Sequence, residues 1–174
     1  CADRYRLERL NQMRGYQHNA ETLENFLVAA IDAAIAAQNA ALAAESLGLG
    51  ICYIGGIRNN SASVIELLGL PKHVFPVTGM TLGYPEKAPM IRPRLPQEAI
   101  LHWEKYDPEQ DAALQAYDRT MVQTGIYKGR QVDVPGKLGE MEDYGWLEHT
   151  ARRTSQPTRT ELLNAVKAQG FGMK

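Results

Sequence analysis

An α+β architecture is what these 174 residues predict, and three observations carry the prediction. Apolar residues recur at helical spacing from about Thr22 to Leu47. A four-residue apolar run, Ile51-Cys52-Tyr53-Ile54, then follows Gly48, which stands where a helix would end in a left-handed residue. A second run, Val74 to Leu82, is rich in Val, Phe, Thr and Leu and is bounded by Gly83-Tyr84-Pro85, so it reads as a buried strand. The length suffices for one well-buried domain, and a 44% hydrophobic content is ordinary for a globular chain.

The elements follow in order. Arg4 to Leu23 is polar, with mixed charge and no sustained alternation, and reads as a surface excursion. In the helix from Thr22, alanines such as Ala29, Ala33, Ala37 and Ala40 favour helix and allow another helix to approach closely. Asp32, Gln38, Asn39 and Glu45 interrupt its apolar run, which argues for a core helix over a membrane span. Ser63 with Glu66 three residues later has the form of a capping box, and Gly69 with Pro71 ends that short helix. Leu101 to Tyr106 fits a short strand, and Asp107-Pro108 a helix entry, with the helix closed at Gly125. Residues 126–145 are rich in glycine and read as a mobile loop with Lys128 and Arg130 at a basic tip. A helix over Trp146 to Thr154 and another from Pro157 complete the chain.

Several function classes are excluded. A net charge of −1 gives no electrostatic reason to expect nucleic acid or an anionic membrane. Two cysteines, Cys1 and Cys52, are too few for a disulfide scaffold, and a reducing cytoplasm fits. Gly48-x-Gly50 follows a helix and lacks the third glycine of a dinucleotide fingerprint, and no phosphate-binding loop with Lys-Ser or Lys-Thr is present. His18, His73, His102 and His149 are scattered, with no ligand pair at helical spacing, so no metal site is predicted and the histidines are read as structural.

Two stretches carry chemical information. Gly55-Gly56 after the strand leaves bare peptide groups, which fits either a tight structural turn or an edge approached by a flat ligand. In Arg92-Pro93-Arg94-Leu95-Pro96 the prolines fix an extended backbone, so the two arginines project to one side. Paired guanidiniums suit a phosphate, although a solvated loop with two arginines is the plainer reading.

The run AAESLGLGICYIGGIRNN, with LPKHVFPVTGMTLGYP and RPRLP after it, resembles the flavin-dependent nitroreductase family, within it the oxygen-insensitive NADPH nitroreductase and NADPH:flavin reductase group. The likeness covers nearly the whole chain and is strongest from Leu23 to Pro96. It implies a central, mostly antiparallel sheet flanked by helices, in an intertwined homodimer. FMN would be the cofactor, held by Tyr53, Ile54, Gly55 and Gly56 at its ring and by Arg92 and Arg94 at its phosphate. NADPH would be the co-substrate, with Lys128, Arg130 and Arg159 as its ligands and Arg152 and Arg153 as a further contact. The acceptor would be a nitroaromatic, a quinone or free flavin in ping-pong turnover, with no catalytic side chain because the chemistry resides on the flavin. Family members begin with a section carrying a His-Arg-Ser-x-Arg motif for the flavin phosphate, so the chain is read as the C-terminal majority of a longer protein. A non-catalytic dimeric flavin-binding fragment is the alternative that this leaves.

Overall fold

A computed structural model describes residues 1–87, 90–136 and 141–172, and its α+β elements fall into two compact units. The first comprises Cys1–Ala88 with Arg159–Lys174, and the second Pro89–Thr158.

The first unit begins with β1 (Ala2–Asp3) and α1 (Tyr5–Arg14). The helix occupies what polarity marks as a surface excursion. It buries no residue, so no apolar stripe announces it, and it rests on local bonds instead. Asp3 accepts from the Tyr5 N–H at 2.9 Å, Gln12 donates to Glu8 at 3.0 Å, and Gly15, at φ 72°, terminates the helix in the left-handed conformation.

α2 (Leu23–Ser46) matches its predicted span. Only Ala29, Ala41 and Ala44 are buried along it, while Ile31 and Ile35 remain 55% and 58% exposed. It ends as expected at Gly48, φ 76°, where the Leu49 N–H reaches back to Ala44 O at 3.0 Å. Among the described residues α2 alone is long and apolar enough to cross a membrane by length and composition.

β2 (Gly50–Ile54) runs antiparallel to β4 (Gly79–Gly83), with Ile51 opposite Leu82 and Tyr53 opposite Met80. The expected single strand from Val74 is thus two. β3 (Val74–Phe75) pairs instead with β1, placing Ala2 opposite Phe75. Pro76 separates the halves because it has no N–H for a ladder. Burial divides with the pairing: β3 is buried, whereas β2 and β4 are half-buried to exposed, against the expectation of buried strands.

The chain leaves β2 through a 3-10 turn, Gly55–Asn60, and enters α3 (Ser61–Leu67). Asn60, not Ser63, is the cap: its side chain accepts from the Ser63 N–H at 3.2 Å, which makes Ser63 the donor. α6 (Leu162–Ala168) starts five residues after Pro157 because Arg159, at φ 52°, cannot belong to a right-handed helix. The core gathers Ala2, Ala29, Phe75, Val166 and Phe171, with Phe26 edge-on to Phe75 and Phe171 at 5.9 and 5.3 Å.

In the second unit the expected strand at Leu101 is absent. Glu104 takes φ 60°, and the Lys105 N–H bonds Trp103 O, which turns the chain. Asp107 closes a turn onto the Glu109 N–H at 2.9 Å, so α4 (Asp111–Thr124) begins later than Pro108 and ends at Gly125 as predicted. α5 (Trp146–Thr154) packs on α4. Asp118 of α4 accepts the Leu147 N–H at 2.8 Å, supplying a cap from another helix.

That docking requires Gly145. A Cβ there would overlap the Asp118 carboxylate and lie 2.8 Å from Val122 Cγ2. Gly145→Ala should therefore cost about 1–3 kcal/mol in a urea unfolding curve, as overpacking does. Gly83→Ala, with nothing within 4 Å of its added methyl, should stay within about 0.5 kcal/mol.

Candidate cofactor and nucleotide site

In the first unit the site residues assemble at the end of β2. Gly55 and Gly56 are absent from the glycines with positive φ, so the backbone there makes no demand for glycine. Crowding makes none either: a Cβ on Gly55 would meet only the Arg58 guanidinium, at 3.3 Å, and one on Gly56 only the Asn59 amide, at 4.0 Å. What the pair supplies is peptide free of side chains, half-buried at Gly55 and exposed at Gly56, at the start of a 3-10 turn, where the first N–H groups have no partner within the turn. Arg58 is occupied from behind, donating to Val77 O. Tyr53 is 40% exposed, and its hydroxyl donates to Gln38 at 3.3 Å. Arg159 is drawn to the same turn, donating from Nη2 to Gly55 O at 3.4 Å and from Nε to Asn59 at 3.1 Å. Its left-handed backbone aims the side chain there, which no helical reading of Pro157 onward anticipates.

In the second unit a cavity of about 740 Å³ is lined by Arg92, Arg94, Arg130 and Arg153, among others. Arg92 and Arg94 do face one space, as their spacing predicts. Tyr117 secures the segment between them by donating its hydroxyl to Pro93 O at 3.3 Å. Aromatic side chains complete the lining: Trp146 stands edge-on to Tyr117 at 5.2 Å, and Tyr127 stacks on His149 at 4.4 Å. Burial, and then the Arg153 charge, hold the His149 imidazole below its ordinary pKa and favour its neutral form. Burial raises the Tyr127 phenol, with Tyr117 adding to the effect and Arg92 opposing it. Four guanidiniums among neutral aromatic faces make a volume of ligand-pocket size that suits an anion with a flat appendage.

Lys128 is not part of this lining. Its side chain lies beside Gly125, and its N–H bonds Gly125 O at 3.1 Å, so the structure places Arg130 but not Lys128 in the cavity. Residues 137–140 of the glycine-rich loop lie outside the described residues. On either side of them Gln131 and Met141 exchange two hydrogen bonds, at 2.8 and 2.9 Å.

Spacing cannot separate Arg152 from Arg153, but burial does. Arg152 is 3% exposed, bonded to Glu148 at 2.8 Å and Val132 O at 2.9 Å, and lies 5.1 Å from the Tyr144 ring centroid. It is structural, while Arg153 lines the cavity. Tyr117, Trp146 and His149 escape a sequence reading because ring side chains on helices look like core, and Tyr127 because it stands in a glycine-rich loop. Arg152→Ala should lower stability by about 1–3 kcal/mol, because it removes the buried guanidinium that the Val132 carbonyl and the Glu148 carboxylate accept from. Arg153→Ala should change it by under about 0.5 kcal/mol; paired urea unfolding curves measure both.

The comparisons with known proteins agree on one family. The family model described as "Nitroreductase family" matches residues 10–84, and "Nitroreductase family, C-terminal domain" matches residues 92–174. The chain is 41% identical over 177 residues to an FMN reductase (NADPH) of Bacillus subtilis, covering 98% of this chain and 67% of that protein. It is 38% identical over 151 residues to an oxygen-insensitive NADPH nitroreductase of Salmonella typhimurium, covering 87% of this chain and 59% of that one. NfrA2 of B. megaterium superposes with a TM-score of 0.87 at 34% identity, covering 99% of this chain and 67% of the other. The chain therefore spans roughly two-thirds of the length of its relatives, and it belongs to the nitroreductase family.

Proposed function

We propose that this chain acts as an FMN-dependent oxidoreductase that passes electrons from NADPH to nitroaromatics, quinones or free flavin in ping-pong turnover. The observation that carries it is the glycine pair, free of side chains where neither φ nor packing within the chain calls for glycine. Relatives named NADPH-dependent flavin reductases and nitroreductases support the same reading.

FMN, when bound, supplies the hydride chemistry, accepting from NADPH and donating to the second substrate. The chain's own groups bind and orient. The peptide N–H groups of Gly55 and Gly56 are assigned to hydrogen-bonding the ring's acceptors. Fixed dipoles of that kind stabilise negative charge without a titrating side chain. Tyr53 and Ile54 end the strand that presents them. Arg92 and Arg94 are assigned to the phosphate, and Arg130 and Arg159, with Lys128, to the phosphates of NADPH. Arg130 has the better claim than Lys128, since it shares the cavity of Arg92 and Arg94. No acid–base side chain is required.

The exposed stripe of α2 is assigned to a homodimer interface. Its acidic and amide interruptions, and the alanines that it buries against the first unit, argue against a membrane span. The cytoplasm, where NADPH is available, is the proposed compartment.

Three experiments test these assignments. Gly55→Val adds bulk that meets only the flexible end of Arg58, so the fold should persist while FMN affinity falls at least about tenfold by fluorescence titration. Unchanged affinity would remove the glycine pair from the site. Replacing both Arg92 and Arg94 with Ala should weaken FMN by about ten- to a hundredfold and leave riboflavin, which has no phosphate, unaffected. Separately, Ile31→Glu with Ile35→Glu should convert a dimer to a monomer in light scattering, because like charges would be buried at the interface.

A further inference from the structure

Glu8 of α1, His18 of the following connection and His73 just before β3 converge within the first unit. One candidate ligand atom from each lies within 4.8 Å of the others. His18 Nδ1 is 3.1 Å from Glu8 Oε2, and His73 Nε2 is 4.0 Å from the same oxygen. Donors around a tetrahedral Zn²⁺, at bonds of about 2.0–2.1 Å, sit about 3.3 Å apart. One pair is already closer than that, and small side-chain rotations would bring in the other. Positions 8, 18 and 73 have no ligand spacing in sequence, which is why the histidines read as structural.

His73 is the residue that a simple hydrogen-bonded pair leaves unexplained. Its backbone takes φ 63° and is clamped on both sides: its carbonyl accepts the Arg4 N–H at 2.8 Å, and its N–H donates to Gln169 O at 2.7 Å. Gly170 leaves room for the ring, since a Cβ there would come within 3.0 Å of His73 Cε1. The ring's Nδ1 is buried with no hydrogen-bond partner, while Nε2 stands beyond hydrogen-bond reach of Glu8. Neither neutral tautomer is satisfied by this arrangement. A proton on Nδ1 has no acceptor and turns the Nε2 lone pair toward a carboxylate; a proton on Nε2 is too distant to be donated. A cation between Nε2 and Oε2 would give the Nε2 lone pair and the Glu8 carboxylate a shared partner, with the proton held on Nδ1.

We propose that Glu8, His18 and His73 form a binding site for a divalent transition-metal cation of the Zn²⁺ class. Two imidazoles and one carboxylate are the donor set such ions take, with a fourth position open. A cavity of about 510 Å³, lined by His18, His73, Gln17 and Asn19 among others, adjoins the ligands and gives entry and room for a water. The ligands come from three segments, so the ion clamps α1 and its connection to the entry of β3. The site is independent of the flavin assignments.

The test is Co²⁺ titration of tag-free protein, stripped by chelator, with the visible d–d bands and the thermal midpoint as readouts. We expect one Co²⁺ per chain, displaced by Zn²⁺, with a midpoint raised by several degrees at saturation. His18→Ala, His73→Ala and Glu8→Gln should each weaken binding at least about tenfold, and flavin content should not change. Glu8→Gln retains an acceptor for His18, so it decides the matter if a histidine variant fails to fold. Absence of a stoichiometric band, or binding that persists unchanged in His18→Ala and Glu8→Gln, overturns the proposal.

Discussion

The packing of Phe26 against Phe75 and Phe171 holds the first unit together. The three rings come from α2, β3 and the segment after α6, so a single aromatic cluster joins parts of the chain separated by more than a hundred residues. Phe75 and Phe171 are each 1% exposed, and burial of such a side chain contributes about 1.5–3 kcal/mol, with about 0.5–1.5 more for each edge-to-face pair. The functional features of the unit depend on this closure. It brings Arg159, just ahead of α6, to the Gly55 carbonyl, and Gln169, at the end of α6, to the His73 N–H.

The second unit is organised by polar groups to a greater degree. Gly145 admits the Asp118 carboxylate to the start of α5, and Arg152 ties that helix to Val132 and Glu148. Their geometry sets where the adjacent Arg153 and His149 stand in the cavity. A structural arginine and a cavity-facing one are therefore neighbours on a single helix.

How much of this could be read from the sequence depends on whether a residue's role was local. α2, its stop at Gly48, α5 and the stop at Gly125 were legible because periodicity and left-handed glycine are properties of a few consecutive residues. The family was legible from three motifs in order, and the shared facing of Arg92 and Arg94 from a proline-fixed backbone, whereas their assignment to a phosphate came from the resemblance alone. α1 was hidden because a helix that buries nothing has no stripe. The division of Val74 to Leu82 was hidden because both halves favour strand and only their partners differ. The cap at Asn60, the contrast between Arg152 and Arg153, and the meeting of Glu8 with His18 and His73 all depend on where distant segments pack.

The most direct measurement of the central claim is the visible absorption spectrum of the purified protein reconstituted with FMN, recorded anaerobically before and after NADPH. The account predicts flavin bands that bleach on NADPH and return when a nitroaromatic or quinone is added. Flavin bands that NADPH leaves unchanged, or a protein that retains no flavin, would contradict it.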